Sequence, residues 1–125
     1  MPDQSSLAFR IAAGRRMLYR EGRDSNVGGH VSARADEGDG FRVTGFEYLD
    51  ETLLANVAKL DFDLRPLVSQ HVLSPAVNFH SLIYQLRADV NAIVHLYSRH
   101  TSVLSSTSTL SGCTTSLPCC PRTNR

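Results

Sequence analysis

The chain has 125 residues, 42% of them hydrophobic, which suits one domain with a modest core. Its formal net charge is +1, and acidic and basic residues are interspersed, so it has neither a long-range field nor the basic stripe of a nucleic-acid surface. No apolar run approaches the roughly 18–20 residues that span a bilayer, and MPDQSSLAFR lacks the basic-then-apolar order of a secretory signal; a cytoplasmic protein without nucleic-acid or membrane partners is expected.

From Gln4 to Glu21, Leu7, Ile11 and Leu18, with Ala8, Ala12 and Met17, recur at helical spacing, and Gly22 is a suitable stop. His30–Arg34 alternates like a half-buried strand, ADEGDG is a turn by composition, and Phe41–Thr44 reads as a second strand, so the two should form a hairpin. A short helical stretch is expected over Thr52–Asn56, after Asp50 and Glu51. A strand is expected over Ala58–Asp63, with Leu60 and Phe62 on one face and a turn at Leu64-Arg65-Pro66. Ser74 as N-cap and Pro75 at the first helical position should open a helix running to about Arg87, burying Val77, Phe79, Leu82, Ile83 and Leu86. Asn91–Tyr97 reads as an apolar strand near the centre of the sheet, and Arg99–Ser105 as the start of another helix.

Beyond Ser106 periodicity stops, and small hydroxylated residues and prolines dominate. The domain is therefore expected over 1–106, with 107–125 as a disordered tail. A modified Ser/Thr-rich linker, or an end made by frameshift or alternative splicing, would have the same composition. Cys113, Cys119 and Cys120 all fall there, match no zinc spacing and read as free thiols.

The run FHSLIYQLRADVNAIVH, from Phe79 to His95, resembles the F/L-H-x-x-I-Y-x-x-R-P-D-V-x-A-I/V-V-H segment of the class II aldolase/adducin family. GGHVSAR resembles that family's G-N-x-S-x-R hairpin, FRVTGFEYLDE its strand and T-P-x-G turn, and KLDFD its next strand. The resemblance runs from about Leu7 to Ser106, the front portion of the domain. It implies an α/β fold, a three-layer α/β/α sandwich with a mixed, mainly antiparallel sheet, here truncated. Active members hold zinc or another divalent metal through an H-x-H pair and a distant third histidine, and an acidic residue moves protons while a carbon–carbon bond breaks in a sugar phosphate or similar carbonyl compound. Adducins keep the fold without the chemistry.

Set against that pattern, His95 takes the first ligand position, but Tyr97 stands at the second, and no histidine follows His100. A phenol with a pKa near ~10 is a poor substitute for a neutral imidazole. His100 is the remaining candidate ligand; surface or structural roles fit it, and likewise His80, while His30 and His71 have no partner at ligand spacing. The family's S-S-E aligns with Ser74-Pro75-Ala76, leaving alanine where the proton-handling glutamate belongs. For substrate, the resemblance leaves Gly29, His30, Ser32, Thr44 and Ser74 as weak anion-binding candidates, with Glu47 repelling phosphate if it faced the pocket. The amides opening the Pro75 helix offer another anion site. Little or no aldolase activity, no stably held metal, and self-association or a protein partner are expected; a non-catalytic adducin-like assembly domain is the alternative.

Overall fold

A computed structural model describes residues 5–23, 29–47, 52–68 and 71–106. Helix α1 (Leu7–Arg20) starts where the Ser6 hydroxyl accepts the Phe9 N–H at 3.3 Å. It stops in a Schellman motif, with Arg23 N–H on Leu18 O and Gly22 N–H on Tyr19 O, and Gly22 supplies φ of 62°. The hairpin is β1 (His30–Arg34) and β2 (Phe41–Thr44), as the alternation predicts. A 3-10 turn at Leu54–Asn56 leads into β3 (Val57–Leu60). Then follow β4 (Pro66–Val68), α2 (Val77–Leu86), β5 (Ala92–His95) and α3 (Arg99–Ser106).

The strands make one five-stranded sheet in the order β4-β3-β2-β1-β5, and every pairing described is antiparallel. Strand alternation divides its side chains between two faces. Val31, Ala33 and Val57 pack with Ile11 and Ala12 of α1. Phe41, Val43, Ala58 and Leu60 pack with Val77 and Tyr84 of α2. The result is the expected α/β/α layering. Gly40 lets β2 and β3 close together: a Cβ there would lie 1.9 Å from the Leu60 carbonyl oxygen.

Three sequence expectations are corrected. The strand expected to reach Asp63 ends at Leu60, because the Asp61 carboxylate accepts the N–H groups of Asp63 and Arg65 and folds the chain into a turn. Pro66 then begins an edge strand, where its missing N–H leaves no ladder bond unmade. On α2 the buried set is Val77, His80, Ser81 and Tyr84, while Leu82 and Leu86 are 57% and 81% exposed. Polar anchoring sets that rotation: His80 and Tyr84 both bond Ser32, and Ser81 donates to the Phe62 carbonyl. Finally, β5 is the outermost described strand, with Ala92 and Val94 exposed, because its neighbours in sequence leave β1 as its one described partner. Asp50, Glu51 and the cysteines lie outside the described residues.

Candidate functional site

The α2 face of the sheet gathers residues that are far apart in sequence. β1 and β5 pair with His30 opposite His95 and Ser32 opposite Ile93. His30 and His95 therefore emerge side by side, and α2 lays Phe79 and His80 over them. The His30 ring stacks on His95 with centroids 4.8 Å apart and planes at 26°, and it lies 4.5 Å from His80. Phe79 sits 4.9 Å from His80 and 5.2 Å from His95. Tyr97 lies on the same side as His95, two residues on, and meets its ring edge to face at 4.9 Å.

A hydrogen-bonded chain runs beneath the imidazoles. Ser32 Oγ shares a hydrogen bond of 2.7 Å with His80 Nδ1 and another of 2.7 Å with the Tyr84 hydroxyl. All three side chains are buried. Burial pushes the His80 imidazole down to about 3, and the neighbouring His30 and His95 reinforce the shift. His80 is thus neutral at physiological pH. Burial also pushes the Tyr84 phenol up, against the opposing pull of the Ser32 bond and of Arg34.

The other sequence candidates make contacts of their own. Thr44 pairs with Val57, which packs against α1, so it belongs to the opposite face; its hydroxyl accepts the Val31 N–H at 3.2 Å. Ser74 is buried, and its hydroxyl accepts the Ala76 N–H; Ser74 and Pro75 form a turn ahead of α2, whose N-cap is Ala76 and not Ser74 as expected. Gly29 is buried at the entry to β1. The N–H groups of Val77, Asn78 and Phe79 bond the Ser74, Pro75 and Ala76 carbonyls, so the amides expected to receive an anion are already engaged locally. Glu47 is turned into the protein: it lies 3.6 Å from Arg15 Nη1 and accepts from Asn56 Nδ2. His71 bonds the Ala55 carbonyl at 2.8 Å, and His100 is exposed on α3.

Sequence reasoning gave His30 no partner, because its partners come through long-range pairing of β1 with β5. The signal available was the hairpin itself, which fixes one edge of β1 and leaves the other for the next apolar strand. Two grooves, of about 650 and 440 Å3, both lie along α1 and away from the imidazoles.

Whether these residues suit a metal can be judged from their donors. The Nε2 atoms of His80 and His95 are buried and find no hydrogen-bond partner among the described residues. The rings nevertheless pack face to face or at a tilt, and no group of three or more His, Cys, Asp or Glu among the described residues is arranged to hold a metal ion. A tetrahedral zinc site needs nitrogens converging at about 2.0–2.1 Å from one point. The donor set does not fit one.

The profile of the Class II Aldolase and Adducin N-terminal domain family matches residues 9–122. The chain belongs to that family. Members generally depend on a divalent metal. Solved structures agree on the fold. YgbL from Escherichia coli, a putative aldolase/epimerase/decarboxylase, superposes with a TM-score of 0.73 at 23% identity, covering 82% of this chain and 49% of its own. An L-fuculose 1-phosphate aldolase matches with a TM-score of 0.73 at 19% identity, covering 82% and 49%. An aldolase II superfamily protein from Pseudomonas syringae gives 0.73 at 22% identity, covering 86% and 45%. The chain thus spans about half the length of each. No curated protein matches the sequence. Among the described residues, no helix is long and apolar enough to cross a membrane.

Proposed function

We propose that this chain is a class II aldolase-like domain, related to metal-dependent aldehyde-lyases of sugar phosphates or similar carbonyl substrates, whose own residues support little or no carbon–carbon cleavage. The observation that carries this is Tyr97. It stands where the family's H-x-H pair has its second histidine, on the same side as His95 and in edge contact with its ring. Two imidazoles at i and i+2 chelate an ion because alternate strand residues project together; an imidazole and a neutral phenol do not. Ala76 adds to the case, since general acid–base catalysis worth roughly 10²–10⁴-fold has no titratable group at that position.

The test is aldol cleavage of L-fuculose 1-phosphate and related sugar phosphates with added zinc, cobalt or manganese. No turnover above a His95→Ala control is the expected result. Metal-dependent turnover that vanishes in that control would overturn the reading.

A non-catalytic assembly role, as in adducins, is the second reading. The outer edge of β5, which no described strand pairs, and the exposed Leu82, Leu86 and Val94 favour it, because an unpaired strand edge is a template for pairing with another chain.

A further inference from the structure

An imidazole binds a metal through a nitrogen lone pair lying in the ring plane. Two rings serving one ion must therefore turn their edges toward a common point. Rings stacked face to face hold those lone pairs side by side, so a stacked pair and a chelating pair are alternative states of the same two residues. His30 and His95 are in the first state, with planes at 26° and centroids 4.8 Å apart. Backbone geometry brings the rings together: the two residues are direct partners in the β1–β5 ladder, so their side chains leave the sheet on one face.

The stack is also backed. His80 lies 4.5 Å from His30 on one side, Phe79 lies 5.2 Å from His95 on another, and His80 is itself fixed by its Ser32 bond. His30 is 1% exposed. Turning the His95 ring edge outward would break contacts with three rings at once.

We propose that His30 closes this locus to metal: stacked on His95 across the ladder and backed by His80 and Phe79, it commits the His95 ring to packing. The inference rests on the reading of His95 and Tyr97 as the family's H-x-H position, but it concerns a different residue. It makes His30, standing where the family's hairpin pattern has asparagine, a second and independent block beyond Tyr97.

The test is Co2+ binding, followed by visible absorption and calorimetry, in the wild type, Tyr97→His, His30→Asn and the double variant, with far-UV circular dichroism to verify folding. The double variant should bind Co2+ about 10-fold or more tightly than Tyr97→His, in the range that groups around a metal site commonly contribute. Adding His95→Ala should abolish that gain. Equal affinity in Tyr97→His and the double variant would overturn the role of His30, and so would a folded double variant that fails to bind. Stoichiometric, His95-dependent binding by the wild type would instead overturn the reading beneath it. A second measurement needs no variant. In the wild type, ring-to-ring nuclear Overhauser contacts between His30 and His95 should survive excess Zn2+; their loss on addition of the metal would refute the proposal.

Discussion

Arg34 stands over the Tyr84 ring, its guanidinium carbon 4.9 Å from the centroid, and closes the C-terminal end of α2 from the neighbouring strand. Its Nη2 donates to the Tyr84, Arg87 and Val90 carbonyls at 2.9, 3.2 and 3.2 Å. Those oxygens lie at the end of α2 and just beyond it, where the helix supplies no donors and its dipole favours a cation. Charge-assisted bonds of this kind contribute about 1.5–3 kcal/mol. Arg34→Ala is therefore expected to cost about 2–3 kcal/mol in urea denaturation. Arg34→Lys should recover only part of that, because an ammonium lacks the planar fork that reaches several carbonyls together.

Arg15 makes the corresponding connection on the other face. It is fully buried on α1, donates to the Gly45 and Glu47 carbonyls at 2.6 and 2.8 Å, and faces the Glu47 carboxylate. Removing one member of a buried ion pair strands the other at a cost of about 3–5 kcal/mol. Arg15→Met should lose that much. Arg15→Met combined with Glu47→Gln should lose less than the single change, since no carboxylate is then left uncompensated. A double variant as unstable as Arg15→Met would show that the carbonyl bonds, and not the ion pair, carry the effect.

Much of this was legible in the sequence, and the misses share a cause. Local patterns gave α1 with its Gly22 stop, the β1–β2 hairpin and α3, because caps, turns and alternation act within a few residues. The family motif located His95 and Tyr97 on one side of one chain segment. The buried face of α2 was not legible, since hydrophobicity alone favours Leu82 and Leu86 over His80 and Tyr84. Those polar residues are buried because Ser32, 48 residues from His80, satisfies them. For the same reason, His30 gave no sign of its role until β1 and β5 were paired.

His80 also predicts a pH dependence. Its folded-state value is lowered to about 3 from 6.5. Between those values the unfolded chain holds a proton that the folded chain refuses, so acid favours unfolding. The stability that neutral His80 allows is fully present above about pH 6.5 and is lost as pH falls toward 3. The slope approaches about 1.4 kcal/mol per pH unit for one proton. Glu37, Asp39 and Asp89, whose values are lowered by hydrogen bonds and nearby cations, act in the same direction below the ordinary carboxylate range. Measurements between about pH 5 and 6.5 thus lie above most carboxylate titration. Stability from urea denaturation should rise with pH in that window, and His80→Gln should flatten the rise whatever its absolute stability. An unchanged slope in His80→Gln would refute that assignment.

β5 pairs with β1 on one side, and no described strand pairs with it on the other. Val94 is 52% exposed on the α1 face, and Leu82 and Leu86 stand exposed on α2. Fully burying one such side chain contributes about 1.5–3 kcal/mol, against a net stability of about 5–15 kcal/mol for a typical domain. Covering several of them is therefore a large fraction of what holds such a domain folded. An unpaired edge also offers its N–H and C=O groups to any other strand. The chain on its own should consequently self-associate, with a scattering mass that grows with concentration and a broad thermal transition. Val94→Lys places a charge on that edge and should reduce the association without altering the His30–His95 contact, since residue 94 points to the opposite face. A monodisperse monomer melting sharply above about 60 °C, beyond most mesophile domains, would show that the β5 edge is covered by the chain itself.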